Sequence, residues 1–444
     1  MRNKKVLVLL YNYFTHDSRV LKECTSLIKA GYDVDLWALY KDDLAEKETI
    51  DGINVHRRPG VMGANTQKPI VKTEELLQDH KISKINRLKS WKTRLKKYMP
   101  TIYHCLWLTN RIFRRFLLYF SCKGYYFLQK YSIYKLIFIK GNPEIFADFK
   151  QNNYSFIHCN DITPLKLSVD LKLANPKVKI VYDCHEYQSE ERPIGGLKNW
   201  LIKKAIQFLE KKYINHVDAV ITVSDGIAKE YVRLYRIKKP ALVLNCPKYT
   251  KLIEPQDLFR KKLKINKDQT IFLYQGGFTS GRGIENIIDA FKQMHDSKMV
   301  IVFMGYGPLD SMIKEAASET NKIYYFPAVA PNVLLDYTAS ADIGILWYEN
   351  NCLNQYYCLP NKLFEYLMAG IPSIVSNLYE IEKFTIVNKT GVVTEEISTE
   401  GLISAIEKIS KMDLDVLKRN VSVAREVYNW ENQEKVLLDV YSRL

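Results

Sequence analysis

Several short runs of this sequence set charged side chains where a polar ligand could be held. Tyr274-Gln-Gly-Gly-Phe-Thr-Ser-Gly-Arg-Gly-Ile284 carries four glycines and one arginine between an apolar run and a helical pattern. Glycine lets backbone N–H groups come close to a phosphate, a helix N-terminus favours an anion, and Arg282 supplies fixed positive charge. The run is neither a Walker loop nor a G-x-G-x-x-G fingerprint, so a tight strand-to-helix turn with an exposed arginine stays open. In Leu359-Pro-Asn-Lys-Leu-Phe-Glu-Tyr-Leu-Met-Ala-Gly-Ile-Pro-Ser-Ile-Val375, Glu365 stands among Leu363, Phe364, Leu367 and Met368. A carboxylate in that company is costly without a partner. A ribose diol would be one, and a lysine or a neighbouring loop would be another. His185 and Glu186 follow an apolar run, where ordinary loop hydrogen bonds compete with ligand contact. His16, Asp17 and Arg19 follow the first apolar run, and Asp17 equally suits a helix N-cap. Asp33-Val-Asp35 has the spacing of a metal-binding pair but sits inside an apolar strand pattern, so no metal site is expected there.

These residues need elements to hold them. Lys5-Val-Leu-Val-Leu-Leu-Tyr11 is a continuous apolar run, as in a strand buried on both faces of a parallel sheet. A helix with Val20, Leu21, Cys24, Leu27 and Ile28 on one face follows, Gly31 stops it, and Tyr32–Leu39 is the next strand. Further strands are expected at 156–159, 178–182, 219–223 and 241–244, then at 270–274, 299–304, 323–326, 343–346 and 373–375, with helices between, such as 283–293. That alternation is the doubly wound pattern. The polar stretch Pro247 to Lys267 reads as a link between two such units. Ligands in such sheets bind at the strand C-termini, so two units in tandem imply a cleft.

At 444 residues the chain exceeds the ~250–300 at which one core stops growing. A hydrophobic content of 47% and a charged content of 26% exclude a largely disordered chain. No uncharged run reaches the ~18 residues of a membrane-spanning helix. The apolar start is cut by Asn12, short of the ~7–15 residues of a signal-peptide core, so a cytoplasmic protein is expected. The eight cysteines are scattered without a C-x-x-C pair, which argues against zinc. The net charge of +16 is concentrated: residues 81–140 hold 15 Lys and Arg and no acid, leaving the rest close to neutral. There Ile82, Ile85, Leu88, Trp91, Leu95 and Met99 recur every three or four residues opposite basic ones. Such a face suits an anionic membrane surface, while a solvated amphipathic pair remains the alternative.

Several blocks, in order, resemble one family. They are His16–Glu23, Val181-Tyr-Asp-Cys-His-Glu186, Ile221–Gly226, Gly276–Ile284, Met304-Gly-Tyr-Gly-Pro308, Ser340–Ile345, the Pro360–Pro372 block and Tyr428-Asn-Trp-Glu431. Together they resemble the GT-B retaining glycosyltransferases, family 4-like (glycosyl transferases group 1), over roughly residues 1–60 and 155–444. The resemblance implies an α/β GT-B fold of two doubly wound Rossmann-like domains facing a cleft. Residues 1–248 would bind the acceptor, with 61–150 as a basic amphipathic insertion. Residues 249–425 would bind the donor, and 426–444 would form a helix packing back on the N-terminal domain.

The resemblance also implies roles. Glu365 would hold the donor ribose, and Arg282, beside Gly276 and Gly277, the diphosphate. Asn361 and Lys362 would join them, His185 would stand beside the transferred sugar, and His16, Asp17 and Arg19 would face the acceptor. Tyr357 departs from the family glutamate at its position and Gly277 from a usual basic residue, for which Lys362 could compensate. The N-terminal double-glycine loop is replaced by Asn12 to Arg19. The implied partners are a nucleotide-sugar donor and a glycan or lipid-linked acceptor, with no cofactor or metal; the charge pattern of 81–140, outside the resemblance, adds an anionic membrane surface, and with the positive charge confined there no nucleic acid is expected. Expected, then, is a retaining sugar transfer in cell-surface glycan synthesis, peripheral on the inner face of the cytoplasmic membrane. A GT-B-type nucleotide-sugar epimerase and an inactive binding subunit are the alternatives.

Overall fold

The computed structural model describes residues 4–15, 17–58, 143–191, 196–251 and 257–444. His16 and nearly all of the basic 61–150 segment, including 81–140, lie outside the described residues.

The apolar runs pair into two sheets. The first contains β1 (Lys5–Leu9), β2 (Asp33–Leu39), β3 (Lys47–Ile50), β4 (Ile53–Arg58), β5 (Phe156–Asn160), β6 (Lys179–Cys184), β7 (Ala219–Thr222) and β8 (Ala241–Leu242). Their order is β3-β4-β2-β1-β5-β6-β7-β8, parallel except for the β3–β4 hairpin. The second contains β9 (Thr270–Gly277), β10 (Met299–Tyr306), β11 (Ile323–Pro327), β12 (Ile343–Leu346), β13 (Ser373–Val375) and β14 (Gly391–Val393), in the order β11-β10-β9-β12-β13-β14. Neighbours in this sheet are all parallel. The central strands are wholly apolar and buried, from Val6 to Leu9 in β1 and from Ile271 to Tyr274 in β9. Helices cover both faces, as two-sided burial requires. This is the α/β GT-B architecture.

Strand order reverses at β1 and at β9, each flanked by strands that continue in opposite directions along the chain. Chains leaving such switch points splay apart and open a crevice. The loop ending at Asp17 leaves β1, and the glycine loop leaves β9. Both loops therefore reach a cleft edge.

The stretch expected as a pure link is partly folded. Helix Leu258–Leu263 lies inside it, because Phe259 is fully buried against Phe326 and Tyr337 of the second domain. The final helix, Trp430–Ser442, joins the core of the first sheet, where Trp430, Leu437 and Tyr441 pack with Val6, Val8, Val20 and Leu27. No helix among the described residues is long and apolar enough to cross a membrane.

Candidate active site

Between the sheets lies a cavity of about 330 Å³ whose wall includes Asp17, Arg19, His185, Asn245, Arg282, Tyr348, Asn354 and Asn361. Its first-domain side is built by β1, β6 and helix Ser18–Lys29. Asp17 caps that helix, its Oδ1 accepting from Val20 N at 3.1 Å. The carboxylate is thus a cap that also reaches the cavity.

Arg19 departs from the expectation of an open acceptor contact. It is 3% exposed, and its donors are spent inside the protein. Nε and Nη2 hold the two oxygens of Asp183 at 2.9 and 2.8 Å, and Nη1 holds Val243 O at 2.8 Å. Glu23, one turn on, stands 3.1 Å from Nε. Burial works against the charge of Arg19, but Asp183 and Glu23 outweigh it.

His185 leaves the end of β6 and faces the cavity. Its Nε2 lies 2.8 Å from Asp183 Oδ2, its Nδ1 lies 3.6 Å from Asp161 Oδ2, and its backbone N–H donates to Asp161 Oδ1 at 3.1 Å. Burial alone would lower its pKa, yet Asp183 and Asp161 push it up to about 10. Asp183, fully buried, is held well below the usual carboxylate range, with Arg19 and His185 outweighing the effect of burial. Glu23, Asp183 and His185 bring ligand-type atoms within 4.8 Å of one another. The Arg19 guanidinium already occupies that space, so the donor set suits an ion-pair cluster better than a cation.

The second-domain side has two cations on one ring. Arg282 donates through Nη1 to the Tyr348 hydroxyl and lies 4.4 Å from that ring's centroid. Lys362 Nζ lies 5.3 Å from the same ring and 4.1 Å above Tyr274. Lys362 is 7% exposed, and its ammonium has no hydrogen-bond acceptor. Burial first, and Arg282 second, pull it down to about 7. Gly276, at φ 118°, passes so close that a Cβ there would stand 3.7 Å from Nζ. Gly277 is exposed with open space above it.

Glu365, half-buried on helix Asn361–Ala369, accepts from Gln275 Nε2 at 2.6 Å, and burial raises its pKa. Gln275 in turn takes the Thr338 hydroxyl at 2.8 Å. Asn361 is exposed at the start of that helix and accepts from Asn245 Nδ2 across the cleft at 2.9 Å.

His185, Asp17, Arg19, Arg282 and Asn361 therefore share one cavity wall, while Gly276, Gly277, Lys362 and Glu365 sit beside it around Tyr274 and Tyr348. Tyr357 is not part of the wall; it packs against Tyr356 and Tyr379. Sequence reasoning passed over Gln275, Tyr348 and Asp183. Gln275 stands directly before the glycine pair and is polar inside an apolar strand, which was the available signal. Asp35, in the strand where no metal site is expected, takes Asn54 Nδ2 at 2.8 Å and the Tyr154 hydroxyl at 2.6 Å.

The model of the glycosyl transferases group 1 matches residues 255–427, and that of Glycosyltransferase Family 4 matches residues 124–246. A lipopolysaccharide 1,2-N-acetylglucosaminetransferase of Salmonella typhimurium is 24% identical over 285 residues, 60% of this chain and 68% of its own length. A putative teichuronic acid biosynthesis glycosyltransferase of Bacillus subtilis, TuaH, is 26% identical over 210 residues, 46% of this chain and 52% of its own length. The crystal structure of the Anabaena protein HepE in complex with UDP and glucose superposes with a TM-score of 0.62 at 11% identity, covering 100% of each chain.

Proposed function

We propose that this chain, which belongs to the GT-B glycosyltransferases of the family 4-like group, moves a sugar from a nucleotide-sugar donor to a glycan or lipid-linked acceptor, with retention, in cell-surface glycan synthesis. The observation that carries the reading is the buried ammonium of Lys362, which has no acceptor and lies beside Arg282 and the Gly276 backbone. A buried charge of that kind is costly until an anion completes it. A diphosphate does so with two cations and a helix N-terminus at hand. The names of the relatives point to surface glycans, and the HepE complex points to a nucleotide donor.

In this reading Glu365, oriented by Gln275, takes the ribose hydroxyls. Arg282 and Lys362 stabilise the charge that develops on the departing diphosphate, the largest electrostatic demand of the reaction. The acceptor hydroxyl attacks from the face the phosphate leaves, and that phosphate takes its proton, so no protein nucleophile is required. Two fixed cations fill the place a divalent ion would take.

Calorimetric titration of UDP and GDP in excess chelator tests this. Arg282→Ala and Lys362→Ala are each expected to weaken binding by about 1.5–3 kcal/mol, the worth of a hydrogen bond to a charged group. Glu365→Ala should abolish donor binding and leave the fold intact. Unchanged affinities in all three variants, or binding only with added metal, would overturn the site.

The membrane part of the proposal rests on the acid-free composition of residues 81–140. Flotation with liposomes should rise with anionic lipid, fall with salt and vanish when 81–140 is deleted. Equal binding to neutral vesicles would make a soluble acceptor the better reading.

A further inference from the structure

Behind His185 three bases meet three acids in a closed set. Asp183 holds Arg19 with both oxygens, and its Oδ2 also lies 2.8 Å from His185 Nε2 and 3.8 Å from His158 Nε2. Glu23 stands 3.1 Å from Arg19 Nε and 3.3 Å from His158 Nε2. His158 Nδ1 meets the Tyr441 hydroxyl at 2.7 Å. Asp161 completes the set from the loop after β5, facing His185 Nδ1. Arg19, Glu23, Asp183 and His158 are all at most 3% exposed.

Both ring nitrogens of His185 therefore look at a carboxylate oxygen. A neutral imidazole keeps one nitrogen that only accepts, and a carboxylate only accepts too. Two lone pairs facing each other would repel. With both histidines protonated, three positive groups balance three negative ones, which is the arrangement a dry interior tolerates. The two nitrogens are not equivalent. Nε2 is bound tightly to Asp183, whereas Nδ1 is 3.6 Å from Asp161, beyond hydrogen-bond length.

We propose, resting on the reading that His185 faces the transferred sugar, that Arg19, Glu23 and His158 are positioning residues that fix Asp183, and that Asp183 fixes His185 as an imidazolium whose Nδ1–H is left to donate to substrate. Such a ring offers a hydrogen bond and a positive charge to a sugar hydroxyl or to the departing phosphate oxygen. It does not serve as a general base. The opposing influences are the burial of the ring and the charge of Arg19. The acids outweigh them, pushing His158 up to about 9 and His185 to about 10.

The test is an NMR titration of the full chain labelled with carbon-13 at the histidine Cε1, with His185 assigned through His185→Gln. His185 is expected to keep its charged shift past neutral pH and to titrate near pH 10. Asp183→Asn and the more exposed Asp161→Asn should each lower that midpoint by about 1–3 pH units. Arg19→Gln should lower kcat by roughly tenfold to a hundredfold at neutral pH and leave the UDP affinity unchanged, while the His185 midpoint stays at or above its wild-type value because the charge of Arg19 opposes the imidazolium. A residue that only holds the fold together would instead lose UDP affinity along with kcat and let the His185 midpoint fall towards the ordinary 6.5. Where Asp183→Asn does not fold, the wild-type titration and Asp161→Asn decide alone. A wild-type His185 midpoint near the ordinary 6.5 would overturn the proposal. A raised midpoint with no turnover of any nucleotide sugar would leave the network standing and overturn the transferase reading instead.

Discussion

Lys362 is the residue on which donor binding and pH meet. Its ammonium faces Arg282, Glu365, Tyr274, Tyr348 and Cys358, and burial together with Arg282 brings its pKa down to about 7. Above that pH the free protein carries it largely neutral. A diphosphate placed beside it favours the charged form, so binding must draw a proton from solvent, and affinity must fall as pH rises past about 7. Calorimetry of UDP binding at about one pH unit above that value, in buffers of different ionisation enthalpy, should report net proton uptake that disappears in Lys362→Met. Uptake that survives the substitution would assign the proton to another group. The sequence pointed to Lys362 and Arg282 because both lie in motifs, but it did not reveal that they share the Tyr348 ring, since Arg282 and Tyr348 stand in separate loops and Lys362 in the first turn of helix Asn361–Ala369. The expectation of Arg19 as an open acceptor contact shows the opposite limit: it lies on the cavity wall but spends its donors on Asp183 and Val243. It neighbours Asp17 in sequence, yet in a helix it lies on the face of Glu23, its i+4 partner, and so points to the interior.

Elements were most legible where burial is two-sided. Ile343–Leu346 and Ser373–Val375 are strands at the expected residues, and helix Ile284–Gln293 begins one residue after the expected Gly283. Gly283 sits at φ 60°, and a Cβ there would stand 1.8 Å from Trp347 Cδ1, so only glycine admits this close loop. The hairpin β3–β4 went unread because Lys47–Ile50 is exposed apart from half-buried Ile50 and offers no continuous apolar run. Its signal was the turn: Asp51 at φ 49° and Gly52 at φ 83° are the Asp-Gly pair that tight hairpins favour. Tyr357 illustrates a different limit. The family resemblance implies a glutamate at its position, but its short helix Leu353–Tyr357 lays the ring over Gly226 of the first domain. A Cβ on Gly226 would come within 2.3 Å of Tyr357 Cδ1. The position has become part of the contact between domains, and only packing across the chain could reveal it.

At the scale of the whole molecule, the two sheets are held by polar clasps at the cleft and by one helix behind it. Asn354 reaches across from the second domain, accepting from Tyr187 N at 2.8 Å and donating to Glu186. Helix Trp430–Ser442 returns from the second domain to the first. Trp430 is 2% exposed, donates to Ser26 Oγ at 3.0 Å and lies 4.9 Å beneath Lys22 Nζ. Further along, Gln433 accepts from Leu244 N at 2.9 Å, and Tyr441 ends the helix against Phe156 and His158. This helix thus seals one face of the first sheet and touches the charge network from behind. Its two aromatic anchors should fail differently. Trp430→Ala removes a large buried ring and leaves a cavity, a loss of about 3–5 kcal/mol. Tyr441→Phe keeps the ring against Phe156 and removes only the hydroxyl, so the loss should stay near 1–3 kcal/mol, the cost of leaving His158 Nδ1 without its partner. Urea unfolding monitored by tryptophan fluorescence and by circular dichroism would measure both. A negligible loss for Trp430→Ala would mean that the helix adds little to the stability of the first domain.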